Sequence, residues 1–247
     1  HGNPVLKASE YAYGIASVAG EELWLTLAGL GARARLDALS SLWIEKLAWD
    51  NEEYPTKTQG PIPGFRDLLP FHGLKKLETL HVACSGVRDL SGLEASPALR
   101  SLSVTSSPDL VDVSALSGHP SLRQLNLGGC RELSDITPLA QTGLEDLNLA
   151  SCHALSDIKP LRDMHTLEIL DLGNTAVSDI SSLEGLERLR ELNLNGCREL
   201  TSLEPLSHLP NLTRLTMFFV NVPVPSVLAE RQRSGQLDLH GAPTPGH

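Results

Sequence analysis

The chain has 247 residues, of which 41% are hydrophobic and 4% aromatic, so it is long enough for a substantial aliphatic core and is not a disordered segment. Its formal net charge of −10 argues against binding to the nucleic-acid backbone, which requires a basic surface. No apolar run approaches the ~18 residues of a membrane-spanning helix, and the first residues lack the basic-then-apolar pattern of a secretion signal.

The N-terminal quarter of the chain carries only weak patterns. Residues 1–21, which contain most of the stretch SEYAYGIASVAGEE (9–22), are predicted to form a helical cap that closes the N-terminal end of the core. Residues 22–76 predict degenerate repeats interrupted by an inserted loop at 51–65, where Pro, Gly and polar residues are concentrated. The strand residues expected in these repeats are Leu25 and Leu27, then Ile44, Leu47 and Trp49. The chain lacks an initiator Met, which indicates a piece of a longer protein.

Residues 77–220 repeat one short motif, L-x-x-L-x-L, in which Val or Met replaces the last Leu in three copies. Successive copies lie 22 or 23 residues apart, a period in the range of leucine-rich repeats. The copies begin at Leu77, Leu99, Leu122, Leu144, Leu167, Leu189 and Leu212. We expect regular repeats over this whole range.

Each copy predicts a short strand, because its last two apolar residues alternate with period two and point to one side. One unit cannot bury these side chains alone, but stacked units spaced at ~4.8 Å form a continuous aliphatic column. The sequence therefore predicts an α/β solenoid, a right-handed arc with a parallel sheet of about ten short strands on its concave face.

Residues 221–247 are expected to close the C-terminal end of the solenoid. VPSVLAERQRSG carries a short helical pattern that ends at Gly235. Leu237 and Leu239 predict a last strand, which a tail follows.

The second half of each repeat also recurs, as SDITPL (134–139), SDIKPL (156–161) and SDISSL (178–183). In these phrases the chain resembles the short internalin-like class of bacterial leucine-rich repeats, close to those of the phosphatase-regulatory type. The resemblance covers roughly Leu77 to Val220 and implies a convex side that is extended or 3₁₀ instead of fully helical. Pro138, Pro160 and Pro205 agree with it, because proline is not tolerated in a helix interior.

Cysteine returns at the ninth position of three repeats, as Cys130, Cys152 and Cys197. We interpret these residues as core fillers that hydrogen-bond the turn, since other repeats place Ser, Thr or Val there. A zinc site is disfavoured because the thiols would lie in a line, and a Cys130–Cys152 disulfide because the two side chains would point in parallel. Cys84 is expected on the exposed side, and this cysteine usage predicts a reducing, cytoplasmic compartment.

The strand residues that point away from the core predict a polar ladder on the concave face. Its members are His81, Ser103, Asn126, Asn148, Asp171, Asn193, Thr216 and Asp238. Two interpretations are open: these side chains satisfy one another and solvent, or they line a recognition groove. The partner-binding residues predicted on this face are Arg100, Arg123, Asn126, Glu145, Asp146, Asn148, Glu168, Asp171, Arg190, Asn193, Arg214, Thr216, Phe218 and Phe219.

Phe218 and Phe219 are notable because the chain has only four phenylalanines, and two interpretations of the pair are open. They could form a binding hot spot beside Arg214, or pack against the closing helix near Val227 and Leu228. The sequence alone leaves both open.

The sequence contains no phosphate loop, no H-E-x-x-H and no G-x-S-x-G. The recurring Asp135, Asp157 and Asp179 are expected to accept backbone N–H bonds at a turn, which is a structural role. We therefore predict a non-catalytic domain, monomeric on its own and without cofactor or metal, that recognises a protein partner through its concave face.

Three wider contexts fit this prediction. Fold and composition resemble the C-terminal repeat domains attached to bacterial signalling or defence NTPases. One alternative is a regulatory subunit of a phosphatase or other enzyme. The other is the substrate-binding region of an effector or ligase whose catalytic domain lies outside this segment.

Overall fold

The fold comes from a computed structural model, which describes the backbone of five N-terminal strands, residues 68, 72 and 74–83, and residues 86–242. The five N-terminal strands are β1 (Val5–Ala8), β2 (Ala16–Ala19), β3 (Glu22–Leu27), β4 (Leu30–Arg35) and β5 (Ser41–Ile44). The expected loop at 51–65 and Cys84 lie outside the described residues. The other strands and the single described α-helix belong to the regular repeats and the C-terminal cap.

Among the described residues, ten strands form one parallel sheet in the order β1-β5-β6-β7-β8-β9-β10-β11-β12-β13. The strands from the regular repeats are β6 (Thr79–Ala83), β7 (Ser101–Thr105), β8 (Gln124–Asn126), β9 (Asp146–Asn148), β10 (Ile169–Asp171), β11 (Glu191–Asn193) and β12 (Arg214–Thr216). From β5 to β13, each strand pairs with the strand of the next repeat along the chain. The predicted solenoid with a parallel sheet is confirmed.

The N-terminal region differs from the sequence-based expectation. Within residues 1–21 the structure has strands β1 and β2, so the predicted helical cap is wrong for these segments. Ala19 pairs with Glu22 in an antiparallel ladder, which means that the chain reverses within two residues, as in a hairpin.

The two degenerate repeats are also placed differently. Leu25 and Leu27 lie in β3, which belongs to a separate three-stranded antiparallel sheet, β2-β3-β4. The strand beside β6 is β5, in which Leu42 pairs with Leu80 and Ile44 with Val82. Leu42 and Ile44 therefore occupy the two strand positions that the sequence-based prediction gave to Leu47 and Trp49. The predicted strand was five residues too far along the chain.

The core is a column of aliphatic side chains built from equivalent positions of successive repeats. The first leucine of every regular repeat, from Leu77 to Leu212, is fully buried. The fourth position is aligned from strand to strand, as Leu147 with Leu170 and Leu170 with Leu192. Fully burying one such leucine contributes roughly 1.5–3 kcal/mol, and the repeated stacking joins these contributions into one continuous core.

The convex side consists of short 3₁₀ turns, as the resemblance implies. They span Ser114–Leu116, Thr137–Leu139, Lys159–Asp163, Ser181–Leu183 and Glu204–His208. Asp135, Asp157 and Asp179 each accept the backbone N–H two residues later, at 2.8–2.9 Å. Hydrogen bonds from Thr137 lower the pKa of Asp135, and those from Ser181 lower the pKa of Asp179. The structural role predicted for these aspartates is confirmed.

The C-terminal cap contains helix α1 (Ser226–Arg233) and strand β13 (Asp238–His240). Leu228 of α1 is fully buried, and Arg231 donates hydrogen bonds to the carbonyls of Leu209 and Leu212. Gly235 follows the helix at a φ of 75°, a left-handed conformation suited to glycine. The helix and the last strand therefore lie where the sequence predicts them.

The eighth position of the repeat has a left-handed backbone in every described copy. Small or turn-forming residues occupy it in five of the six copies, and an aromatic residue occupies the last. The φ angles are 51° at Ser106, 81° at Gly129, 60° at Ser151, 57° at Asn174, 71° at Gly196 and 62° at Phe219. This turn leads from each strand to the convex side, and it is strained for a bulky side chain.

Candidate protein-binding face

The polar ladder runs along the exposed face of the sheet, with aligned Cα positions in successive strands. Its described members are His81, Ser103, Asn126, Asn148, Asp171, Asn193, Thr216 and His240. The sequence-based prediction of Asp238 as the last member of the ladder is wrong, since His240 occupies that position. Leu239 of β13 pairs with Leu215, so Asp238 falls beside Arg214 and His240 beside Thr216.

Four of the eight described ladder side chains also fix the turn that follows their own strand. Asn126 Oδ1 accepts the N–H of Gly128, and Asn148 Oδ1 that of Ala150, both at 2.9 Å. Asp171 Oδ1 accepts the N–H of Gly173 at 2.8 Å. These residues therefore have a structural role in the strand-to-turn transition as well as a place on the face.

Toward the C-terminal end the ladder is bonded from side chain to side chain. Asn193 Nδ2 donates to Asp171 Oδ1 at 2.9 Å, and Thr216 Oγ1 donates to Asn193 Oδ1 at 2.9 Å. The interpretation in which the ladder side chains satisfy one another is confirmed for these three residues. The amide nitrogens of Asn126 and Asn148 make no such bond within the described chain, so they remain donors for a partner.

The charged side chains beside the ladder form ion pairs across neighbouring repeats. Arg123 Nε lies 3.8 Å from Glu145 Oε1, and Arg214 Nη1 lies 2.7 Å from Glu191 Oε2. Glu168 is contacted twice, by Arg188 Nη2 at 3.1 Å and by Arg190 Nε at 3.8 Å. Glu145, Asp146, Glu168 and Asp171 form an acidic centre among these arginines, and all of them except Asp146 have a partner. Arg188 and Glu191 were not among the predicted residues.

Asp146 is the exception at this centre. Its carboxylate makes no hydrogen bond and no ion pair with any described residue, although its side chain is partly buried. Burial, reinforced by the negative charges of Glu191 and Asp171, raises the pKa of Asp146. A partly buried anion that the fold leaves without a cation is a candidate for contact with another molecule.

Ile169 is an apolar side chain on this polar face, and the sequence-based prediction missed it. It lies between Asp146 and Glu191 in the strand register and is 40% exposed. The equivalent positions of the other repeats carry Thr79, Ser101, Gln124, Asp146, Glu191 and Arg214. That break in an otherwise polar column was the signal in the sequence that could have revealed it.

Phe218 and Phe219 are exposed, by 48% and 80% respectively. The ring of Phe219 is largely exposed and does not pack against the closing helix, whereas about half of the Phe218 side chain is buried. The N–H of Phe218 is held by Asn195 Oδ1 at 2.8 Å. Both residues follow β12, the strand that carries Arg214.

The three described cysteines are buried, free thiols in the core. Each donates a hydrogen bond to a carbonyl of the preceding repeat, and the acceptors are Val104 at 3.2 Å, Leu127 at 3.3 Å and Leu172 at 3.1 Å. Burial raises the pKa of Cys130 to about 11 and that of Cys152 to about 12. The core-filler interpretation is confirmed, and these thiols do not belong to the exposed face.

The described part of the chain contains neither a metal-binding cluster nor a membrane-spanning helix. No group of three or more His, Cys, Asp or Glu side chains there could hold a metal ion. No helix in the same residues is both long enough and apolar enough to cross a membrane.

Comparison with known proteins supports the fold. An internalin (inlF) from Listeria monocytogenes matches with a TM-score of 0.59 and 28% identity over 68% of this chain. This chain spans 48% of the length of that internalin. Internalin C2 from the same organism gives a TM-score of 0.45 and 23% identity over 67% of this chain and 79% of its own.

By sequence, neither a protein-family model nor a curated protein matches the chain. The stacked L-x-x-L-x-L strands and the 3₁₀ convex turns form a leucine-rich-repeat fold, and in this fold the chain is similar to an internalin.

Proposed function

We propose that the chain is a non-catalytic recognition domain that binds a protein partner through the concave face of its sheet. One observation carries this proposal. An exposed apolar residue, Ile169, lies beside Asp146 at the centre of the face, and the carboxylate of Asp146 has no ion-pair partner in the described chain. Around this centre the ion-paired glutamates and arginines provide a polar rim. An apolar contact inside a polar rim is the usual arrangement of a protein interface.

The predicted partner-binding residues fit this arrangement in different ways. Asn126 and Asn148 offer amide donors, while Arg123, Glu145, Glu168, Arg190 and Arg214 form the ion pairs of the rim. Asp171, Asn193 and Thr216 mainly support one another, so we assign them to positioning. Arg100, Phe218 and Phe219 extend the proposed surface toward its two ends. The buried, reduced thiols support placing the domain in the cytoplasm.

Site-specific photo-crosslinking tests the proposal. A benzophenone amino acid is placed at Ile169 in one variant and at Val111 in another, because both side chains are exposed and only Ile169 lies on the sheet face. In an extract of the source cells, we expect a protein that crosslinks at position 169, does not crosslink at position 111, and is displaced by unlabelled chain. Identical crosslinked species at both positions, or none at position 169, would contradict the proposal.

A further inference from the structure

Ile169 occupies a defined position among charged side chains. In the strand register it is flanked by Asp146 on one side and Glu191 on the other. Glu191 is engaged by Arg214 at 2.7 Å, whose guanidinium comes from the strand beyond. The Asp146 side of Ile169 therefore carries an uncompensated negative charge, and the Glu191 side does not.

The other carboxylates near Ile169 already have partners. Glu145 has Arg123, Glu168 has Arg188 and Arg190, and Asp171 Oδ1 accepts hydrogen bonds from Gly173 and Asn193. Asp146 alone among them has no polar contact with the described chain. A cationic group of a partner can therefore bind the carboxylate of Asp146 without breaking an existing ion pair.

Neither feature serves the fold. Exposure of Ile169 forgoes the hydrophobic stabilisation that a buried isoleucine would give, and a partly buried carboxylate without a partner is unfavourable. The two residues are in adjacent strands, roughly 4.8 Å apart. An acidic partner would add repulsion to the charges of Glu191 and Asp171 that already act on Asp146, whereas a basic one would relieve it.

From this arrangement we infer the chemistry of the partner, an inference that rests on the proposed function. The concave face receives a protein segment that presents a Lys or Arg side chain to Asp146 and an aliphatic side chain to Ile169. The aliphatic contact excludes water from the ion pair, which makes the charge complementarity more effective. The negative net charge of the chain favours the approach of such a segment over long distances.

A displayed library of random twelve-residue peptides tests this inference with a defined probe. Selection is run on the wild-type chain, on Asp146→Lys, and on Asp163→Lys as a matched charge reversal on the exposed convex side. Selected peptides are synthesised, and their affinities for these proteins and for Asp146→Asn and Ile169→Ser are measured. We expect enrichment of Lys or Arg next to Leu, Ile or Val, and about tenfold or greater loss of affinity for Asp146→Lys and Ile169→Ser.

Binding to Asp163→Lys should be unchanged, and circular dichroism melting of each variant checks that it is folded. Peptides that compete with crosslinking at position 169 but lack basic residues, or that tolerate Asp146→Lys and Asp146→Asn, would overturn the inference and leave the proposed function standing. If no peptide competes at position 169 while a cellular protein still crosslinks there, the inference fails and the proposed function stands; the absence of any crosslinked protein at position 169 overturns both.

Discussion

Asn193 of β11 and Asp171 of β10 are joined by a hydrogen bond of 2.9 Å from Nδ2 to Oδ1. The same Asn193 accepts, through Oδ1, the hydroxyl of Thr216 and the N–H of Asn195. One amide thus connects three successive repeats on the exposed face. At this end the ladder is part of the scaffold, on strands β10 to β12.

Asn193→Ala should lower the free energy of unfolding more than Asn148→Ala. The first substitution removes three side-chain hydrogen bonds, and the second removes the single bond to Ala150. At about 1 kcal/mol for each bond, we expect losses of about 2–3 and about 1 kcal/mol. Urea unfolding followed by circular dichroism measures both, and equal losses would contradict the cooperative role of Asn193.

Gly196→Ala should lower the free energy of unfolding by about 1–2 kcal/mol, because Gly196 has a φ of 71° and the left-handed conformation costs an L-residue about that much. An added Cβ would also displace the side-chain amide of Asn174. Gly185→Ala is the control, because an added Cβ meets no atom within 4 Å there, and we expect it to be neutral or slightly stabilising. Similar thermal melting of the two variants would exclude this explanation.

Phe219→Asn should raise the free energy of unfolding by about 1 kcal/mol, because asparagine tolerates the left-handed region and phenylalanine does not. Phe219 is 80% exposed, so little apolar burial is lost with the ring. The reverse change at the equivalent position, Ser151→Phe, should be destabilising. If Phe219→Asn weakens partner binding while it stabilises the fold, the strain at this position is retained for recognition.

The stability of the protein should fall as the pH drops below about 6.5, through His119. This side chain is 4% exposed, its Nε2 donates to the carbonyl of Ser96 at 3.1 Å, and its Nδ1 has no partner in the described chain. Burial lowers the pKa of His119 in the folded state. Below the ordinary histidine pKa of about 6.5 the unfolded chain therefore binds more protons, and unfolding becomes easier with acidification.

Urea unfolding between about pH 8 and pH 5 measures this dependence. His119→Gln should reduce the decrease in stability over that range, whereas His153→Gln, at an exposed position, should leave it unchanged. A pH profile that His119→Gln does not alter would assign the dependence to other groups.

The regular repeats were predictable because period-two leucines and a constant spacing act together. The same frame located Cys130, Cys152 and Cys197 in the core and Asp135, Asp157 and Asp179 at turns. It misplaced β5 and the final ladder residue, because Leu-x-Leu phrases also occur one or more residues out of register. In the weakly repetitive N-terminal segment, a short alternating run did not distinguish a helix from the hairpin of β2 and β3.

The face was only partly predictable for a different reason. Its composition could be read from the outward positions, but which carboxylate finds an arginine depends on side-chain reach across strands. Glu168 attracts two arginines while Asp146 attracts none, although both lie beside arginine-bearing repeats. The spacing of residues along the chain does not predict which carboxylates form ion pairs.

Cross-repeat hydrogen bonds join residues between 19 and 26 positions apart, which is about one winding of the coil. Each repeat is consequently bonded to the repeat before it and the repeat after it, and it needs both to bury its leucines. Gene duplication or deletion of one repeat would lengthen or shorten the sheet by one strand, roughly 4.8 Å. The proposed binding face would change in length by the same step while the architecture is conserved.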